Sequence, residues 1–316
     1  MAGFKKVKLI WMNGKLIPWE SANVHVSAHA LQYGTGVFEG MRSYETADGP
    51  AIFRLHDHMK RLQASAGYYE LQLPFTVEEL CQGALDVVRE NDLQASYLRP
   101  IAFFDSFSFA VWPKECPVTV AIIAVPGQQY IASGPEHGVR VMLAKTRRID
   151  ESTLPPHVKA CGHYTNSVRA AQEALRKGFN DAILLNTKGD VAEGSGANLF
   201  LVKNGKIVTN DIDASILMGI TRDSVIQIAR DAGIPVEIRP MKESDLASAD
   251  EIFFSGTAVE VTPIKEIDGR VVGEGKPGPV TKKIQSIFYD AVHGKLPKYH
   301  HWLSYVRKGA KELAAV

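Results

Sequence analysis

Residues Tyr33-Gly34-Thr35-Gly36-Val37-Phe38-Glu39-Gly40 decide how this chain is read. Glycines so spaced invite a dinucleotide-binding interpretation, in which a glycine turn passes a strand into a helix whose N-terminus holds a pyrophosphate. The spacing is GxGxxxG, however, and no helical periodicity follows it. Arg42-Ser43-Tyr44 and Ala51-Ile52-Phe53-Arg54 continue as strand patterns. A glycine turn that leads into more strand has no helix N-terminus to offer, so the doubly wound parallel fold is rejected. The glycines then serve a sharp turn or a close backbone approach to a ligand, and both readings stand.

Working outward, Leu9 to Trp19 reads as a hairpin, because Asn13-Gly14 supplies the two positive φ angles of a type I′ turn. Two helices follow. Met59, Leu62, Ala66 and Tyr69 recur at helical spacing over 56–70, and Thr76 with Glu79 forms a capping box before a helix ending near Asn91. Tyr97 to Phe104 and Val118 to Val125 read as strands, and Pro126-Gly127-Gln128-Gln129 opens a linker at 126–137. Beyond it come a strand from Val139 to Ala144 and a helix carrying Val168, Ala171 and Leu175, with Thr165 as its cap. Two more hairpins turn at Lys188-Gly189 and at Asn204-Gly205. Helices over 222–232 and 279–292 and strands over 251–254 and 259–263 complete the pattern. Hairpins outnumber strand-helix-strand units, which predicts an α+β fold with antiparallel or mixed sheets. A chain of 316 residues exceeds what one core usually serves. Two lobes are expected, 1–125 and 138–316, with a site between them.

The 36 basic and 35 acidic residues nearly cancel without long single-sign runs, which argues against a nucleic-acid or membrane surface as partner. A small polar substrate fits better. The longest apolar run, Val118 to Val125, is too short to span a bilayer, and the N-terminus lacks a signal-peptide core, so a cytoplasmic protein is expected. Cys81, Cys116 and Cys161 form no CxxC pair, and His25/His29 and His56/His58 lack a third ligand; these histidines read as turn and helix-start residues, with no metal site.

Lys159 lies in Pro155-Pro156-His157-Val158-Lys159-Ala160-Cys161-Gly162-His163-Tyr164, between small or apolar neighbours. Desolvation there would favour the neutral amine that attacks an aldehyde, although a surface-loop lysine is the ordinary reading of such a segment. Thr221, before the stripe of Val225, Ile228, Ala229 and Ala232, is an N-cap beside which a phosphate can dock, or simply a cap. Ser255-Gly256-Thr257-Ala258 is an anion nest or a plain turn. Glu193 stands at a strand end before Gly194 and Gly196, which leave room for a flat ring; a lone glutamate is otherwise solvated.

Together these segments resemble, almost end to end, the branched-chain amino acid aminotransferases of the class IV, fold-type IV pyridoxal-phosphate family. The resemblance rests on WMNGKLIPW, SAHALQYGTGVFEGMRSY, FRLHDHMKRL, SYLRP, the Lys159 segment, VAEGSGANLF, GITRDSVIQIA, ADEIFFSGTAVEVTP and GPVTKKIQ. It implies a small α/β lobe, a larger pseudo-barrel lobe, pyridoxal 5′-phosphate between them, and a homodimer or higher homo-oligomer. It implies that Lys159 carries the cofactor and moves the proton, that Glu193 pairs with the pyridine nitrogen, and that Tyr164 faces the ring oxygen. Arg61, Ile220, Thr221 and Thr257 would form the phosphate cup. Tyr33, Phe38, Tyr97, Arg99, Val111, Tyr130, Thr257 and Ala258 would line the substrate pocket. The reaction implied moves an amino group between leucine, isoleucine or valine and 2-oxoglutarate.

Departures lie near the pocket. His163 replaces the family's asparagine, Ala197 its glutamate, and Gly127 a common aromatic, while Asp105 to Trp112, with Phe107, Phe109 and Trp112, replaces a glycine-rich loop. They predict a broadened side-chain scope. D-amino-acid or (R)-amine transamination, an aminodeoxychorismate lyase, and a vitamin-B6-binding protein without activity are the alternatives; Tyr97-x-Arg99 favours L-amino acids, and the retained Lys159, Tyr164 and Glu193 favour an enzyme.

Overall fold

The computed structural model describes residues 5–106, 108–127 and 134–306. Phe107, Gln128, Gln129 and Tyr130 lie outside the described residues, as does the middle of the expected linker.

The described residues form two compact units. In the first, β1 (Leu9–Met12) and β2 (Lys15–Pro18) make the expected hairpin, with Asn13 and Gly14 at φ of 48° and 84°. Then follow α1 (His29–Tyr33), β3 (Gly36–Phe38), β4 (Met41–Tyr44), β5 (Ala51–Phe53), α2 (Leu55–Tyr68), α3 (Val77–Glu90), β6 (Ser96–Phe104) and β7 (Val118–Pro126). The capping box of α3 is present: Thr76 Oγ1 accepts from Glu79 N at 3.2 Å, and the Glu79 carboxylate accepts from Thr76 N at 2.8 Å. C-terminal β17 (Leu303–Tyr305) completes an antiparallel sheet of order β17-β5-β4-β6-β7-β1-β2, with β3 also on β6. Leu55, Met59, Leu62 and Ala66 of α2 and Leu80, Ala84, Val87 and Val88 of α3 bury their apolar stripes in its core.

The second unit contains α4 (Gly134–His137), β8 (Val139–Leu143), α5 (Tyr164–Arg176), β9 (Asp181–Leu185), β10 (Val191–Gly194), β11 (Asn198–Lys203), β12 (Lys206–Thr209), α6 (Ile220–Asp231), β13 (Val236–Ile238), α7 (Glu243–Ser248), β14 (Glu251–Gly256), β15 (Glu260–Ile267), β16 (Arg270–Val271) and α8 (Pro279–Val292). Its sheet is mixed, ordered β10-β9-β8-β15-β14-β11-β12-β13, with β8 parallel to both β9 and β15 and β12 parallel to β13. Val191 N on one edge strand donates to Met241 O, just past the other, at 2.8 Å. The sheet therefore curls until its edges meet, which removes exposed edges as a barrel does. The α+β expectation is met in both units.

The units are not two uninterrupted segments. Val158–Gly162, with Lys159, and the described residues 290–306 group with the first unit rather than with the rest of 138–306. Backbone pairing is the reason: Val37 bridges Ala160, and β17 hydrogen-bonds β5.

Two helix readings need correction. His163, not Thr165, occupies the N-cap of α5, and its inward residues are Ser167, Ala170 and Ala174, while Val168 and Leu175 are exposed. Small side chains are what a closely packed helix face admits. Gly219, not Thr221, caps α6; Thr221 is its second residue and is buried.

Candidate active site

In the first unit, the glycine run shapes a bed for Lys159. Gly34 turns at φ 70°, and a Cβ on Gly36 would sit 3.0 Å from Phe103 Cβ and 3.1 Å from Ala102 O. Because Gly36 is bare, β3 fits between β6 and the lysine segment, which pairs with it like a further strand. Phe38 N donates to Lys159 O at 3.0 Å, Cys161 N to Gly36 O at 2.8 Å, and Gly162 N to Gly34 O at 3.1 Å. On its other side, Lys159 N donates to Ser65 Oγ of α2 at 3.2 Å. Thus Lys159 is fixed by its backbone, and Nζ lies 4.8 Å from the centre of the Phe38 ring. Arg99 Cζ approaches the same ring at 4.8 Å, and Arg99 Nη2 donates to Tyr97 OH at 2.8 Å. The buried Arg99 Nε has no hydrogen-bond partner. A Cβ on Gly40 would lie 2.4 Å from Tyr97 OH, so glycine is required where that hydroxyl reaches the chain.

Arg61 lies on the α2 face shared by His58 and Ser65. Its Nε and Nη2 donate to the two oxygens of Glu39 at 2.6 and 2.8 Å, and His58 Nδ1 contacts Glu39 Oε2 at 2.7 Å. Glu39 is fully buried. Burial alone would raise its carboxyl, but Arg61 and His58 outweigh that and hold it far below the ordinary carboxylate range. For His58, burial dominates and lowers the imidazole; the Glu39 bond opposes this, while Arg61 and Lys159 add to it. A neutral ring donating from Nδ1 satisfies these partners.

Tyr33 is partly exposed and donates to Phe109 O at 2.8 Å; His29, fully buried, contacts Thr35 Oγ1 at 2.7 Å and Ala110 O at 2.9 Å. These contacts tie α1 to the aromatic loop. Phe109, Val111 and Trp112 are exposed on it.

In the second unit, Glu193 is buried on β10. Its Oε2 accepts from Asn198 Nδ2 at 3.1 Å and from Leu217 N at 3.2 Å, and its Oε1 lies 2.8 Å from Arg148 Nε. The last contact is electrostatic, because the Nε–H is not aligned on the carboxylate. Arg222 Nη2 donates to Asn210 O at 2.5 Å, and Asn210 Nδ2 to the carbonyls of Val191 and Ala192 at 2.7 and 2.6 Å, bracing the strand beneath Glu193. The glycine reading divides here. A Cβ on Gly194 would meet Phe254 at 2.7 Å, so that space is filled by the core, whereas Gly196 faces open space.

Gly219 is equally constrained: a Cβ there would lie 2.0 Å from Asn198 Oδ1. With glycine as cap, the cap residue itself makes no side-chain bond to the first turn of α6, where Ile220 and Thr221 supply backbone N–H groups. Thr257 and Ala258 lie half-buried in the three-residue turn joining β14 to β15, and Tyr164 opens α5.

The first unit therefore brings together Lys159, Phe38, Tyr97 and Arg99, with Arg61 on the helix that holds the lysine backbone. In the second, Glu193 shares the Asn198 amide with the turn that leads into Ile220 and Thr221. Sequence reasoning missed Glu39, His58, Arg148, Asn198, Asn210 and Arg222. One signal was available for Arg222, a charge at helical spacing with the apolar Val225 and Ala229.

Residues 36–267 match the family described as Amino-transferase class IV. The branched-chain-amino-acid aminotransferase of Escherichia coli (strain K12) is 41% identical over 306 residues, covering 96% of this chain and 99% of that protein. That of Pseudomonas aeruginosa is 39% identical over 300 residues, covering 95% and 97%. The crystal structure of a T.th. branched-chain amino acid aminotransferase complexed with N-(5′-phosphopyridoxyl)-L-glutamate superposes with a TM-score of 0.92 at 42% identity, covering 96% and 99%. With this likeness spanning nearly the whole chain and both units, the protein belongs to the class IV aminotransferases.

Proposed function

We propose that this chain is a pyridoxal-phosphate-dependent transaminase that moves the amino group between L-leucine, L-isoleucine or L-valine and 2-oxoglutarate. The observation that carries the substrate reading is Arg99: its Nε is buried without a partner, its Nη2 is held by Tyr97, and Lys159 shares the Phe38 ring with it. An orphaned guanidinium N–H beside a reactive amine suits a substrate α-carboxylate.

The residues fit the cofactor. Lys159 offers the amine, and Arg61, the N–H groups of Ile220 and Thr221, and Thr257 suit the phosphate. Glu193 suits the pyridine nitrogen, and Tyr164 the ring oxygen. When bound, pyridoxal phosphate supplies an electron sink for the carbanion. Lys159 Nζ takes and returns the proton at the substrate Cα. Glu193, its carboxylate held by Asn198 and Leu217 and drawn by Arg148, keeps a proton opposite it. The resemblance assigns the side-chain pocket to Tyr33, Phe38, Val111, Tyr130 and Ala258, and there each buried methylene would contribute about 0.8 kcal/mol.

Val26, Leu31, Phe109, Val111 and Trp112 are 60 to 80% exposed on the linked α1 and aromatic-loop segments. So much bare apolar surface suits a second copy of the chain, giving a homodimer. Among the described residues no helix is long and apolar enough to cross a membrane.

Half-reactions across L-leucine, L-valine, L-glutamate, L-phenylalanine, D-alanine and (R)-1-phenylethylamine test this reading. L-leucine and L-glutamate should bleach the yellow protein fastest, with slower reaction of L-phenylalanine. Faster reaction of D-alanine or the (R)-amine would overturn it.

A further inference from the structure

The Glu39 cluster is unexplained by a purely structural role. A fully buried carboxylate is costly to desolvate even when paired, and apolar residues of similar volume often serve a core as well. Here one carboxylate engages the Nε/Nη2 edge of Arg61 with both oxygens, and a buried imidazole and the Gly40 N–H at 3.3 Å complete its partners. Two parallel donors onto two oxygens fix the guanidinium in the carboxylate plane, so the direction of its remaining edge is set as well. His58 and Arg61 are three residues apart on α2, and Glu39 follows β3, so the bracket is built on rigid elements. The lowered imidazole agrees with this geometry: a second cation beside Glu39 would compete with Arg61 for the carboxylate.

We propose that Glu39 and His58 are positioning residues that orient the Arg61 guanidinium toward a phosphate monoester. This rests on the reading of Arg61 as a phosphate contact. Glu39 also offsets the Arg61 charge, so the site offers a directed set of donors rather than a diffuse positive field. Geometry, more than charge, is what the bracket supplies.

The test is the affinity of the apoprotein for pyridoxal 5′-phosphate and for phosphate-free pyridoxal, read by absorbance titration. Wild type should prefer the phosphorylated form strongly. Glu39→Gln should weaken pyridoxal phosphate about tenfold or more while leaving pyridoxal within about twofold, collapsing that ratio. His58→Gln, which keeps a donor, should lose less than His58→Ala. Should Glu39→Gln fail to fold by near-UV circular dichroism, Glu39→Asp gives the same readout, since the shorter side chain withdraws the charge from Arg61. If the Glu39 variants leave the ratio unchanged while Arg61→Ala collapses it, the bracket does not position Arg61 and the proposal is wrong. If Arg61→Ala also leaves the ratio unchanged, Arg61 does not read the phosphate, and the underlying reading fails with the proposal.

Discussion

Lys159 and Glu193 are held by opposite means. The lysine lies in a segment gripped by its backbone: residues 159, 161 and 162 make three main-chain hydrogen bonds to the β3 strip, Lys159 N donates to Ser65, and Nζ lies over the Phe38 ring. The glutamate is gripped by its side chain, with an amide and a main-chain N–H on one oxygen and a guanidinium against the other. The difference suits the chemistry. An amine that must meet a carbonyl and shuttle a proton needs a mobile tip on a fixed root, whereas a carboxylate that retains a proton opposite it needs a fixed tip and a constant charge environment.

Removing either group gives the largest effects. Lys159→Ala should abolish turnover, because it removes the amine proposed to carry the cofactor and move the proton; near-wild-type activity would break the comparison at its first term. Glu193→Gln should keep the cofactor but lose about two to three orders of magnitude in kcat, since a neutral partner no longer stabilises the protonated ring nitrogen. Turnover within a few-fold of wild type would show that the carboxylate does not serve the ring.

A smaller effect comes from Gly40, which the backbone-held half needs bare. Gly40→Ala should push Tyr97 OH away from Arg99 and lower kcat/KM for L-leucine by about tenfold, and Tyr97→Phe placed on top should add little further loss. Additive losses would mean that Gly40 acts elsewhere.

Acid stability should show the smallest effect. His58 is lowered in the folded state, so the unfolded chain binds the proton first, and stability falls as pH drops below the ordinary value of 6.5. Glu39, also lowered, adds to the fall below its ordinary 4.5. Each group contributes at most about 1.4 kcal/mol per pH unit within its window. Urea melts between pH 7 and pH 5 should lose stability in wild type and less in His58→Gln; identical slopes would contradict a neutral buried His58.

What could be read from the sequence was local. The Asn13-Gly14 and Asn204-Gly205 turns and the Thr76/Glu79 capping box follow from neighbouring residues alone, and each appears where expected. The inward face of α5 was misread because periodicity weighs hydrophobicity, while the packing there selects small Ser167, Ala170 and Ala174. Gly219 escaped as a cap because the clash that excludes other residues comes from Asn198, remote in sequence. The Glu39 bracket spans 19 and 22 residues between partners, and no spacing rule links them. A role could be proposed only where a motif carried it, as for Lys159 and Glu193. The side chains that hold them in place become visible once the chain is folded.

The most direct test is chemical trapping on the purified holoenzyme. Borohydride reduction followed by peptide mass spectrometry should place the phosphopyridoxyl group on the peptide containing Lys159. Its appearance on another lysine, or on none in a yellow protein, would contradict the account.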